Sequence, residues 1–188
     1  MKSFKKNGLA LLVCVILTVN AVSALDAPKG AVPVSDFDVA QYLGKWFEIA
    51  RLDFKHEKNM SDVTAEYTLN DDGTIRVKNR GYDYVEGEWK ESIGKAKFTE
   101  TPDIGALKVS FFGPFYTGYN IISLDPLYQT ALVVGKDTDY MWILSRTASI
   151  PDETVKKYLS ILSSLGYDLN KIVWTDQGPY DATVYDAK

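Results

Sequence analysis

The chain has 188 residues, 24% of them charged, a formal charge of −4, one cysteine (Cys14) and one histidine (His56). That length suits one domain able to bury a large core unaided, and a lone cysteine excludes an internal disulfide. An acidic chain without a local run of Lys and Arg gives no signal for nucleic acid. With one histidine it cannot build a histidine-rich metal cluster or a catalytic set drawing on several histidines.

Lys2, Lys5 and Lys6 precede an apolar run from Leu9 to Val19, followed by Ala21-Val22-Ser23-Ala24. This is the charge, core and small-residue order of a secretory signal peptide, so residues 1–24 are read as a leader cleaved after Ala24 and the protein as exported. A membrane span needs ~20 apolar residues, and this run is shorter and broken by Asn20. A lipid anchor on Cys14 is the disfavoured alternative. Leu11-Leu12-Val13-Cys14 has the leucine of such a site, but Val13 stands where a small residue is expected and Val15-Ile16-Leu17 is no polar tether.

Residues 25–35, with Pro28, Gly30 and Pro33, read as a linker, and residues 38–43 as a short helical turn ended by Gly44. From there a two-residue period recurs. It predicts eight strands, at 46–52, 63–69, 75–80, 94–99, 107–111, 118–124, 130–135 and 140–146. Asn70-Asp71-Asp72-Gly73 supplies a hairpin turn. The links are mostly short, which makes an antiparallel up-and-down meander, and closing eight strands into a barrel removes the sheet edges. A single clear helix follows. Pro151, Asp152 and Glu153 suit its start and Gly166 its end, while Val155, Tyr158, Leu159, Leu162 and Leu165 form one stripe that core packing explains best. Ile172 and Trp174 suggest a short strand beyond it, and residues 178–188 a tail.

Two anchors carry a family resemblance. Gly44-Lys45-Trp46-Phe47-Glu48-Ile49-Ala50-Arg51 resembles the opening motif of the lipocalins, and Tyr140-Met141-Trp142-Ile143-Leu144-Ser145-Arg146 resembles their last barrel strand. Between them, Val63-Thr64-Ala65-Glu66-Tyr67, Asn79-Arg80-Gly81-Tyr82 and residues 107–116 are similar to the bacterial lipocalin and apolipoprotein D branch. The resemblance spans residues 36–177 and implies an all-β calyx with the helix packed outside. It also implies a stack of Arg146 across Trp46 that closes the barrel floor, a structural role.

The alternation predicts an inward set that would contact ligand: Ala50, Val63, Ala65, Tyr67, Val77, Asn79, Ala96, Phe98, Leu107, Val109, Phe111, Tyr119, Ile121, Ala131, Val133, Trp142 and Leu144. Four alanines among these cannot fill a barrel axis, which favours a pocket over a solid core. Tyr67, Asn79, Tyr119 and Ser123 are its candidate polar handles. Glu48 shares the parity of Trp46 and should be paired or protonated near the floor. The expected function is binding of a single-chain lipid, by resemblance a fatty acid or lysophospholipid, in the periplasm or at the outer membrane. The alternatives are a carrier of another apolar ligand, such as a haem-like pigment or sterol, and an envelope module that self-associates as a homodimer. Phe111-Phe112-Gly113-Pro114-Phe115-Tyr116 could serve such a contact or pack around its own turn. No cofactor, metal or enzymatic activity is expected, and His56 reads as a surface residue.

Overall fold

A computed structural model describes residues 27–178 apart from residue 56. The leader, Cys14, His56 and the tail beyond residue 178 lie outside the described residues.

Asp38 opens a one-turn helix, α1 (Val39–Tyr42), by accepting a hydrogen bond from the Ala40 amide. Gly44, at φ +88°, then turns the chain into β1 (Gly44–Leu52), a left-handed conformation that favours glycine. The meander continues through β2 (Met60–Leu69), β3 (Ile75–Asp83), β4 (Glu88–Phe98), β5 (Ala106–Phe112), β6 (Phe115–Leu124), β7 (Thr130–Val134) and β8 (Met141–Ser145). Each strand pairs antiparallel with the next, and β1 pairs with both β8 and β2, which closes an eight-stranded barrel. Helix α2 (Asp152–Ser164) and a 3-10 turn lead to β9 (Ile172–Trp174), which adds to the last three residues of β1.

Two apolar layers result. The inner one gathers Trp46, Ala65, Tyr67, Val77, Leu107, Ile121, Val133 and Leu144 inside the barrel. The outer one packs Tyr158 and Leu162 of α2 on Ile49, Leu132, Val134 and Ile143. The helical stripe is therefore core, and Tyr158 adds a hydrogen bond from its hydroxyl to Thr130 Oγ1 at 2.9 Å. The second half of the expected linker lies against the barrel: Ala31 is buried in the outer layer, and Val34 bonds to the backbones of Ile121 and Gly105.

Two irregularities reverse the expected parity. The register of β1 on β8 slips between Glu48 and Ala50, so that Ala50 faces Ile143 of the outer layer and Arg51 faces Trp142. Ala50 is thus not an inward residue; it packs beneath α2, and Arg51 turns inward instead. A second slip, between Ile121 and Ser123, sets Ser123 opposite Leu132. Ser123 consequently lies in the outer layer rather than serving as a cavity handle.

Candidate ligand-binding site

The inner layer does not fill the barrel. A cavity of about 780 Å³ runs through its upper part, within the range of small-molecule pockets. Of the inward set, Val63, Ala65, Tyr67, Val77, Asn79, Ala96, Leu107, Val109, Phe111, Tyr119, Trp142 and Leu144 line it. Phe98, Ile121, Ala131 and Val133 lie in the inner layer but do not reach the cavity. They belong to the packed floor, together with Phe37, Tyr42, Trp46 and Tyr128.

The floor is closed by Arg146. Its guanidinium lies 3.9 Å from the centre of the Trp46 ring, while its nitrogens donate to the carbonyls of Lys45 (2.8 Å), Gln41 (2.7 Å) and Leu43 (2.9 Å). Trp46 Nε1 donates to the Tyr42 carbonyl at 2.8 Å. One cation thereby ties the last barrel strand to the helical turn and to the first strand.

Just above the floor, three tyrosine hydroxyls meet. Tyr119 Oη is 2.7 Å from Tyr42 Oη and 2.8 Å from Tyr67 Oη. Burial raises all three phenols above their ordinary value, so they stay neutral and act as hydroxyl donors and acceptors. Tyr67 and Tyr119 were legible from alternation. Tyr42 was not, since it comes from α1 rather than from a strand. Asn79 contributes the remaining handle: its Oδ1 is buried, lines the cavity and has no hydrogen-bond donor.

Higher on the wall sits a polar cluster of which alternation finds Glu48 alone. Arg51 Nη1 donates to Glu48 Oε1 at 2.8 Å and to Thr175 Oγ1 at 3.1 Å, and the Thr175 hydroxyl donates to Glu48 Oε1 at 2.5 Å. Arg51 Nη2 donates to the Glu57 carbonyl, and Trp142 Nε1 donates to Glu57 Oε2 at 3.0 Å. Glu48 is therefore a satisfied structural pair on the upper wall. Glu57 thus turns its carboxylate to Trp142 and its backbone carbonyl to Arg51, and the guanidinium pairs with the Glu48 carboxylate. Burial, followed by the Glu48 charge, pushes the Glu57 carboxyl up to about 8. Burial also raises Glu48, against the opposing pull of Arg51 and Thr175. With the better-bonded Glu48 ionised, Glu57 is the natural holder of the proton at neutral pH.

The same cluster seals a seam. Strands β1 and β2 pair only from Gly44 to Phe47, and above this the gap is bridged by the segment after β9. Gln177 Nε2 donates to the carbonyls of both Glu48 and Val63 at 2.8 Å, and the Asp62 amide donates to the Asp176 carbonyl. At the mouth, Phe112 and Phe115 are exposed while Phe111 packs against the inner layer. The aromatic run is thus divided between packing and surface. Among the described residues no cluster of His, Cys, Asp and Glu could hold a metal ion.

Residues 37–177 match the Lipocalin-like domain family. The chain belongs to the lipocalin family. This lipocalin is 50% identical over 157 residues to Outer membrane lipoprotein Blc of Escherichia coli strain K12, covering 84% of this chain and 89% of that one. It is 44% identical to the protein of the same name from Vibrio cholerae, over 91% of this chain and 99% of that one. Apolipoprotein D of Mus musculus is 34% identical over 77% of this chain and 80% of its own. Among solved structures, insecticyanin from the tobacco hornworm Manduca sexta superposes with a TM-score of 0.63 at 22% identity, over 81% of this chain and 87% of that one, a likeness of fold.

Proposed function

We propose that this lipocalin is a binding protein, not an enzyme, and that it carries or stores a single-chain lipid, a fatty acid or lysophospholipid, for maintenance of the cell envelope. The observation that carries this reading is the shape and polarity of the cavity. Its wall of Val63, Ala65, Val77, Ala96, Leu107, Val109 and Leu144 is apolar; its polar groups are the tyrosine hydroxyls, the Asn79 amide and the Glu48 and Glu57 cluster, and the charged Lys55, Arg80, Lys90, Glu91 and Lys136 border it as well. Such a tube gains roughly 0.8 kcal/mol for each methylene it takes from water, while the polar end of the lipid stays near the mouth.

The names of the bacterial relatives support export to the periplasm or outer membrane. They also favour a lipid-anchored form that keeps Cys14 over cleavage after Ala24, and the mass of the mature N-terminal peptide decides between the two.

The function is tested by native mass spectrometry of the purified protein and by displacement of a fluorescent acyl probe with fatty acids and lysophospholipids of rising length. Affinity should rise roughly fifteenfold for each two added methylenes until the tube is full. Flat affinity across the series, with no lipid mass retained, would overturn the reading in favour of a bulkier apolar ligand or a ligand-free interaction module.

A further inference from the structure

The barrel wall is not continuous between β4 and β5. Their ladder runs only from Lys95 to Phe98, opposite Leu107 to Ser110, although β4 begins at Glu88 and is paired with β3 along its whole upper length. Above the ladder, β5 bends into its own hairpin with β6 through an irregularity between Val109 and Phe112. Gly94 sits at the fork, where a Cβ would lie 2.8 Å from the Ser110 carbonyl oxygen and 2.9 Å from the Phe111 ring.

The cavity reaches this fork. In a closed wall only alternate residues of a strand face the interior, yet consecutive Lys90, Glu91 and Ser92 border the cavity on one side, as do Ser110, Phe111 and Phe112 on the other. A groove on the outside of the barrel shares Ser110, Phe111 and Tyr116 with the cavity and adds Arg76, Ile93 and Lys95.

The face around that groove is basic in a chain whose formal charge is −4. Arg76 stands directly opposite Lys95, and Lys97 directly opposite Lys108. Like charges in facing positions destabilise a sheet, so folding alone does not account for them. Asp72 meets Lys95 at 3.4 Å, while the Lys97 and Lys108 ammonium groups lie 4.6 and 5.8 Å from the centre of the Tyr116 ring. Beside them, Ile93 is 52%, Phe112 69% and Phe115 79% exposed. Cations interleaved with aromatic and apolar side chains match the boundary of an anionic bilayer, where basic groups meet phosphates and rings settle at headgroup depth.

We infer that the outer face of β3 to β6 docks on an anionic phospholipid bilayer and that the fork between β4 and β5 is a side portal through which an acyl chain passes into the cavity. The docking stands on the surface alone; the passage rests on the lipid-carrier reading.

The test uses exported protein from the full chain carrying Cys14→Ala, which removes any acyl anchor. Co-sedimentation is measured with vesicles of phosphatidylcholine alone and with about 30% phosphatidylglycerol, at low and high ionic strength. Binding should require phosphatidylglycerol, weaken with salt, and fall roughly fivefold for each cation neutralised in Lys97→Gln and Lys108→Gln. The double reversal Lys97→Glu with Lys108→Glu should abolish it, yet leave uptake of a fluorescent fatty acid from solution unchanged, because neither lysine borders the cavity. A Phe115→Trp reporter should shift to the blue only with the anionic vesicles.

Equal binding to both vesicle types, no vesicle binding, an unaffected double reversal, or preference for a DNA duplex over vesicles would overturn the docking surface. The portal predicts that transfer of the fatty acid from anionic vesicles slows in the double reversal while solution uptake persists; unchanged transfer overturns it. Vesicle binding without any acyl uptake would defeat the lipid-carrier reading and leave the docking surface standing.

Discussion

The floor and the upper wall of this barrel are built from the same alternating strands, yet they reach opposite ends. At the floor, Trp46, Phe37, Tyr42 and Phe98 fill the axis, and Arg146 spends its donors on backbone carbonyls at the rim, where it sits under a ring rather than among carboxylates. In the upper wall the axis is empty, and Arg51 spends its donors inside, on Glu48, Thr175 and the Glu57 carbonyl. The contrast shows how one sheet can be sealed at one end and open at the other. Closure comes from aromatic volume and a cation that crosses strands, whereas openness needs polar groups that satisfy one another so that an apolar guest meets no bare charge.

The largest effect should come from unbalancing the upper cluster. Replacing Arg51 by Met leaves Glu48 buried without its cation, and breaking a buried pair costs ~3–5 kcal/mol. Chemical denaturation should show that loss, and Glu48→Gln made in the same chain should restore part of it, since no buried charge then remains unpaired. A restored charge balance with no recovery would mean that shape, not charge, holds the wall.

The floor should give less. Arg146→Ala removes a desolvated cation–π contact and several carbonyl hydrogen bonds, a loss of ~2–4 kcal/mol by thermal melt. Arg146→Lys should recover little, because an ammonium cannot stack flat while reaching carbonyls from Gln41 to Lys45. Preference among acyl chain lengths should survive both changes, since Arg146 does not border the cavity.

Filling the empty half should cost stability less than either. Ala65→Trp or Ala96→Trp adds a ring where both alanines border free space, so the ~1–3 kcal/mol typical of overpacking a filled core should not appear. Acyl-probe binding should be lost in both and kept in Glu66→Trp, which lies on the outward face of β2. Destabilisation without lost binding would show that the upper wall is as tightly filled as the floor.

What the sequence reveals follows the same divide. The strands, their order, the outer helix and the floor pair were legible because two-residue alternation and the anchors around Trp46 and Arg146 are local signals. The upper wall was less so. The slip at Glu48 and Ala50 inverts parity within β1, and nothing in the run of side chains announces it; Ala50 and Arg51 exchange faces as a result. Glu57, Thr175 and Gln177 lie outside the eight predicted strands, where no periodicity assigns them a face. The basic outer face was hidden for a related reason. Its residues alternate singly with apolar ones on β3, β4 and β5, and only strand pairing stacks them.

The smallest effect is a slope rather than a loss. Glu57 has a folded-state value raised to about 8 by burial and by the charge of Glu48, against 4.5 for the free side chain. Below about 4.5 both folded and unfolded chains hold the proton, and the group's contribution to stability is complete. Between there and about 8 the unfolded chain releases the proton while the folded chain keeps it, so stability falls as pH rises; above that window the loss is finished. The slope cannot exceed the ~1.4 kcal/mol per pH unit that one whole proton allows, and solvent screening of the half-buried side chain acts by narrowing the window, which limits the total change. Asp72, Asp83 and Glu91 are lowered by their hydrogen bonds and act with the opposite sign, but below the window. Glu57→Gln keeps an acceptor for Trp142 Nε1 and removes the proton. Denaturation midpoints measured from pH 5 to pH 9 should therefore fall less steeply in this variant than in the parent, and the difference between the two curves reports Glu57 together with Glu48, whose charge bears on it. Parallel curves would mean that Glu57 is ionised throughout, and that the upper wall, unlike the floor, tolerates two charged carboxylates around a single guanidinium.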